Sequence, residues 1–156
     1  MKYYAGIGSR KTPELICHLM MKLANQLGQK WYVLRSGGAE GADKAFEQGA
    51  WGWTTSVILR PKDATDEAIK LAGQYHPAWG MCNPYVRKLL GRNVQIILGQ
   101  DLTQPVDFVL FWTRDERRGG TAHAIKIARA HNIPVFNLRR DEKLEAFYKE
   151  YLNGEM

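Results

Sequence analysis

Three short segments of this 156-residue chain combine glycines with hydroxyl and charged side chains: Gly6-Ile7-Gly8-Ser9-Arg10, Ser36-Gly37-Gly38-Ala39-Glu40-Gly41-Ala42-Asp43 and Arg117-Arg118-Gly119-Gly120-Thr121. Glycine admits a ligand close to the backbone, and N–H groups at a helix start hold phosphate without a buried cation. In the first segment Gly8, Ser9 and Arg10 set a hydroxyl and a forked guanidinium beside free amides, which suits a phosphate. In the second, Gly37, Gly38 and Gly41 leave room for close approach, and Ser36 adds a hydroxyl. Asp43 has two readings, a helix cap or an acceptor of ribose hydroxyls. Glu40 is either a solvated loop charge or a carboxylate for catalysis. In the third, Gly119, Gly120 and Thr121 form an oxyanion site, and His123 either serves the structure or contacts the ligand.

Other chemistries lack their signatures. The first segment starts as GxG but places Lys11 where the dinucleotide fingerprint needs its third glycine, and no GxxxxGK[ST] occurs. An ordinary NAD dehydrogenase and a P-loop NTPase are thereby disfavoured. No His/Glu cluster has metal-ligand spacing, and no Gly-x-Ser-x-Gly elbow appears. Six aromatic residues, Trp51, Trp53, Tyr75, Trp79, Tyr85 and Trp112, could stack on bases at ~1–3 kcal/mol each if exposed. Most belong in a core; Trp79, in an irregular segment, and Trp112, at a strand end, are assigned to the site.

The elements that must position these groups alternate. Strands are expected at 2–7, 31–34, 55–59, 106–112 and 133–138, and helices at 12–28, 42–50, 64–72, 84–98, 119–131 and from 141. Thr12-Pro13 and Asn83-Pro84 read as cap-then-proline helix starts, and Asp141 as the cap of the final helix. Leu15, Ile16, Leu19, Met20, Leu23, Ala24 and Leu27 make one apolar stripe, with Gly28 as its stop. Such βα alternation implies an α/β fold, a single domain over residues 1–156 with about five parallel strands and helices on both faces. Ligands of such sheets sit at the carboxyl ends of the strands, where the three glycine segments lie.

Composition agrees with a globular domain: 45% hydrophobic and 24% charged residues. The longest apolar run, Phe108 to Trp112, is far below the ~20 residues of a membrane span, and no secretory signal follows Lys2. A cytoplasmic protein is expected. Cys17 and Cys82 read as ordinary thiols. The net charge of +6, split evenly between the halves, favours anionic partners such as nucleotides or nucleic acid.

With these residues in view, the chain resembles the SLOG superfamily, the Rossmann-like group that contains the DNA-processing protein DprA and the LOG hydrolases. Gly6 to Arg10 with Thr12-Pro13, and Ser36 to Asp43 with Gly49-Ala50, look like the two DprA loops. Arg92-Asn93, Gln95, Leu98-Gly99, Pro105, Trp112-Thr113, Gly119-Gly120-Thr121 and Ile133 to Leu138 resemble the small single-domain DprA-like proteins common in phages. The resemblance adds Arg92, Asn93 and Thr113 to the site. LOG hydrolases carry a glutamate in their Pro-Gly-Gly-x-Gly-Thr-x-x-Glu motif, and that position is Ala124 here. Full-length DprA has flanking domains, which these residues lack, weakening recombinase loading as an expectation.

The expectation is a binder of a nucleotide-derived small molecule that needs no cofactor or metal. If phage-derived, it could sequester a host immune signal in the host cytoplasm. A DprA-like single-strand DNA binder is the first alternative. A LOG-like N-glycosidase using Glu40 is the second, and Glu40 and His123 are the only catalytic candidates. Relatives of this fold often pair through helices, so a homo-oligomer is expected.

Overall fold

The strands show no alternation of apolar and polar residues, because both faces of their sheet are covered. In β1 (Lys2–Gly8) residues 4–7 are buried, as is every residue of β2 (Tyr32–Ser36) and β4 (Phe108–Trp112). The computed structural model describes residues 1–153. Short edge strands β3 (Val57–Ile58) and β5 (Val135–Asn137) complete an all-parallel sheet of order β3-β2-β1-β4-β5, as expected. Ala5 is the hub of its register, paired with Arg35 on one side and Val109 on the other.

Helices α1 (Glu14–Gln29), α2 (Ala42–Ala50) and α6 (Asp141–Tyr151) cover one face, around Tyr4, Leu34, Phe108 and Phe136. Helices α3 (Asp66–Gln74), α4 (Pro84–Leu98) and α5 (Gly119–Ala130) cover the other, around Ala5, Ile7, Val109 and Phe111. Neighbours in a strand point to opposite faces, so Tyr4 and Ala5 serve different cores. Gly6 and Gly8 are packing residues: a Cβ on Gly6 would lie 2.6 Å from Phe46 Cγ, and one on Gly8 2.7 Å from Ala42 Cβ. These contacts draw the start of α2 tight against β1. Among the described residues, no helix is long and apolar enough to cross a membrane.

Several boundaries differ from the sequence expectation for local reasons. Thr12 does not cap α1; its hydroxyl turns back to donate to Ser9 O at 2.5 Å, and Pro13 occupies the cap position. Leu15 falls off the apolar stripe and is exposed, and α1 runs past Gly28, which packs under Trp53. Trp31 is not in β2; it takes φ 66° and closes the end of α1 by donating its N–H to Gly28 O at 3.0 Å. Arg140, not Asp141, precedes α6 as its cap residue. Strands β3, β4 and β5 are shorter than expected, although Leu59 N still donates to Ser36 O at 2.9 Å and Leu138 N to Phe111 O at 2.7 Å just beyond their ends. The Asn83 cap stands, accepting from Val86 N at 2.9 Å.

Candidate functional site

The strand order reverses direction between β1 and β4, and loops that leave their carboxyl ends diverge there to form a crevice. A cleft of about 210 Å³ opens at this point. Gly8 lines it from the end of β1, Ser9 and Arg10 from the loop that follows, Ala39 from the loop after β2, Asp43 from the first turn of α2, and Gly120 and Thr121 from the start of α5. Leu89, Arg92, Asn93 and Ile96 of α4 and Ile7 of β1 complete the wall. All three glycine segments therefore meet at one place. The first two abut at Gly41, where φ is 85° and a Cβ would lie 2.8 Å from Ser9 O.

Each loop is held by identifiable bonds. Ser9 N donates to Trp112 O at 3.1 Å, and Ser9 Oγ accepts from Lys11 N at 3.0 Å, leaving its own hydrogen free to donate. Asn93 Nδ2 reaches Gly120 O at 3.5 Å. Among the described residues no side chain caps α5, so its first-turn amides are presented with the positive end of the helix dipole.

Charge is concentrated behind the second loop. Arg92, 7% exposed, donates from Nη1 to Gly37 O at 3.2 Å and to Leu59 O at 2.9 Å. Arg60 Nη1 donates to Gly37 O and Gly38 O at 3.4 and 3.3 Å. Arg10 is close enough to Arg92 to depress its pKa, beyond the larger effect of burial. Asp43 is the one buried carboxylate among the described residues, accepting at Oδ2 from Ala39 N at 3.2 Å. Burial pushes its pKa up to about 6, against the opposing pull of the Ala39 amide and Arg92.

The remaining expected residues lie elsewhere. Ser36 is buried with its hydroxyl donating to Gly6 O at 2.6 Å, so it braces β1 against β2. Gly37 and Gly38 are close-approach positions, but what approaches them is Arg92 and Arg60. Glu40 is exposed and outside the cleft lining. Trp112 buries its ring in the α1/α2/α6 core. Trp79 packs under Gly73, with Arg87 5.0 Å above its ring. Thr113 bonds within its own loop, donating to Asp115 O at 3.2 Å. Gly119 and His123 line a separate cavity on the far side of the α5 start. Among the described residues, no aromatic side chain lines the cleft.

Arg60, Ala39, Leu89 and Ile96 were not anticipated. Arg60 had one signal, a basic residue directly after the third strand and before Pro61. Cys17 and Cys82 are free thiols, and among the described residues no His, Cys, Asp or Glu group could hold a metal ion.

Fold and cleft together define a Rossmann-like α/β domain with a recess lined by Arg10 and Arg92 at its switch point. No protein-family model matches the chain, and no curated protein matches its sequence. Among solved structures it is similar to DNA processing protein A from Helicobacter pylori, described for its single-stranded DNA binding mode. The two share 18% identity with a TM-score of 0.60, over 96% of this chain and 72% of that one. The chain thus has a DprA-like fold.

Proposed function

We propose that this chain binds single-stranded DNA at the cleft, with a backbone phosphate against the first-turn amides of α5, Thr121, Ser9 and Arg10. One observation carries the reading: three glycine loops converge where Arg10, Arg60 and Arg92 cluster against a single buried carboxylate. A net charge of +6 favours the same partner. The cleft's lack of aromatic faces suits a phosphodiester better than an enclosed base. The similar protein is known for binding single-stranded DNA, which favours this reading over a small ligand.

A second reading keeps the same phosphate contacts but takes a free ribonucleotide-derived molecule. Asp43 favours it, because a carboxylate lining the cleft can accept ribose hydroxyls, and deoxyribose lacks the 2′-hydroxyl. In a phage setting that molecule would be a host immune signal held out of circulation. The N-glycosidase reading finds no support in Glu40, which lies outside the cleft.

Fluorescence anisotropy of a labelled oligothymidylate, titrated across a salt series, separates the two. Saturable binding that weakens linearly in log salt, by about 0.7 log units per neutralised phosphate, is expected. Stabilisation by ribonucleotides without oligonucleotide binding selects the second reading, and binding of neither overturns both.

A further inference from the structure

The start of α5 has a second cavity on the side away from the cleft, with a volume of about 480 Å³. Tyr75, His76 and Pro77, which follow α3, form one wall, and Arg117, Arg118 and Lys126 supply positive charge. The acid beside them, Glu116, is already committed, accepting from Arg129 Nη2 at 2.7 Å and Asn137 Nδ2 at 2.9 Å. Among the described residues, Arg117, Arg118 and Lys126 form no ion pair with a carboxylate.

His123 also lines this cavity and is 7% exposed. Its Nε2 lies 3.0 Å from Ala72 O, and a carbonyl oxygen only accepts, so Nε2 carries the proton. Nδ1 of the neutral ring is then a bare acceptor, and it has no partner among the described residues. Burial holds the ring below the ordinary histidine pKa, opposed by the Ala72 bond and assisted by His76 and Lys126, which favours the neutral form. A buried lone pair is satisfied by an N–H donor, which a nucleobase edge carries and a phosphate does not.

We propose that this cavity receives the nucleotide adjacent to the one whose phosphate lies in the cleft, its base N–H donating to His123 Nδ1 and its phosphate facing Arg118 and Lys126. The inference rests on the single-strand reading above. Gly120 and Thr121 line the cleft, whereas Gly119, Ala122 and His123 line the second cavity, so both are reached from the opening residues of one helix, whose turn rises about 5.4 Å. A strand crosses between them over Gly119, where a Cβ would meet nothing within 4 Å. The smallest ligand that fills both positions is a dinucleotide.

Calorimetric titration with dTMP, with the dinucleotide pTpT and with its two singly abasic analogues tests this. Wild-type protein is expected to bind pTpT at least tenfold more tightly than dTMP, and one abasic analogue to lose that gain. The variant K126E, at an exposed position further along α5, should bind pTpT no better than dTMP while keeping wild-type affinity for dTMP. If pTpT and dTMP bind equally, or the gain survives both the charge reversal and base removal, the second position is overturned while the cleft stands. If neither ligand binds, the cleft reading fails and this inference with it.

Discussion

Arg92 and Gly37, 55 positions apart in the chain, are joined by a hydrogen bond of 3.2 Å from guanidinium Nη1 to carbonyl oxygen. The same nitrogen donates to Leu59 O at 2.9 Å, so one side chain of α4 ties the loop after β2 to the end of β3. Arg92→Ala removes the donor facing Leu59 O in a buried setting, and leaving such a carbonyl unpaired costs ~1–3 kcal/mol. A loss of this size is expected in urea unfolding, together with weaker anion binding. An unchanged midpoint would show that the arginine braces nothing.

Asp43 sets a pH dependence. Its folded pKa of about 6 lies above the ordinary value of 3.8, so the folded state binds the proton more tightly. The stabilisation is complete below about pH 4 and is lost as pH rises through 6, by an amount on the order of 3 kcal/mol. Urea midpoints compared between wild-type and Asp43→Asn across pH 4 to 7 should differ in slope, the variant lacking this decline. Parallel curves would refute the assignment.

Arg10 is exposed and lines the cleft, so its reversal should spare the fold. Arg10→Glu is expected to weaken oligothymidylate binding at least tenfold and to lower the salt slope by about 0.7, with an unchanged melting temperature. Equal affinity of variant and wild type would move the anion away from this loop.

Tyr4 stacks on Phe108 with ring centroids 5.6 Å apart, yet its hydroxyl is buried and unpartnered among the described residues. Tyr4→Phe keeps the ring and removes the orphaned group. The variant is expected to be as stable as wild type or more stable by up to ~1 kcal/mol, a rise of about 2–4 °C in Tm. A fall of that size would reveal a partner for the hydroxyl.

The alternation of strands and helices, the parallel sheet and the three glycine loops were all legible in the sequence. Apolar periodicity and turn chemistry are local properties, set by backbone geometry over a few residues. The pairing of Asn83 with Val86 N, three residues on, belongs to the same class. Orientation within the loops was not legible. Ser36, Gly37 and Gly38 have the composition of a phosphate cradle, but Ser36 bonds to Gly6, and Arg92 and Arg60 occupy the space beside the two glycines. Trp112 sits at a strand end, but its ring faces the core.

The sequence by itself determined which elements form and which strand ends carry amide-rich turns, because those depend on neighbours in the chain. Only the tertiary structure decided that Arg60 stands behind the second loop, that Glu40 lies outside the cleft and that His123 faces a different cavity from Thr121. These outcomes rest on contacts between residues 22 to 55 positions apart, such as Arg60 with Gly38, His123 with Ala72 and Arg92 with Gly37. They exist only once the helices have packed on both faces of the sheet.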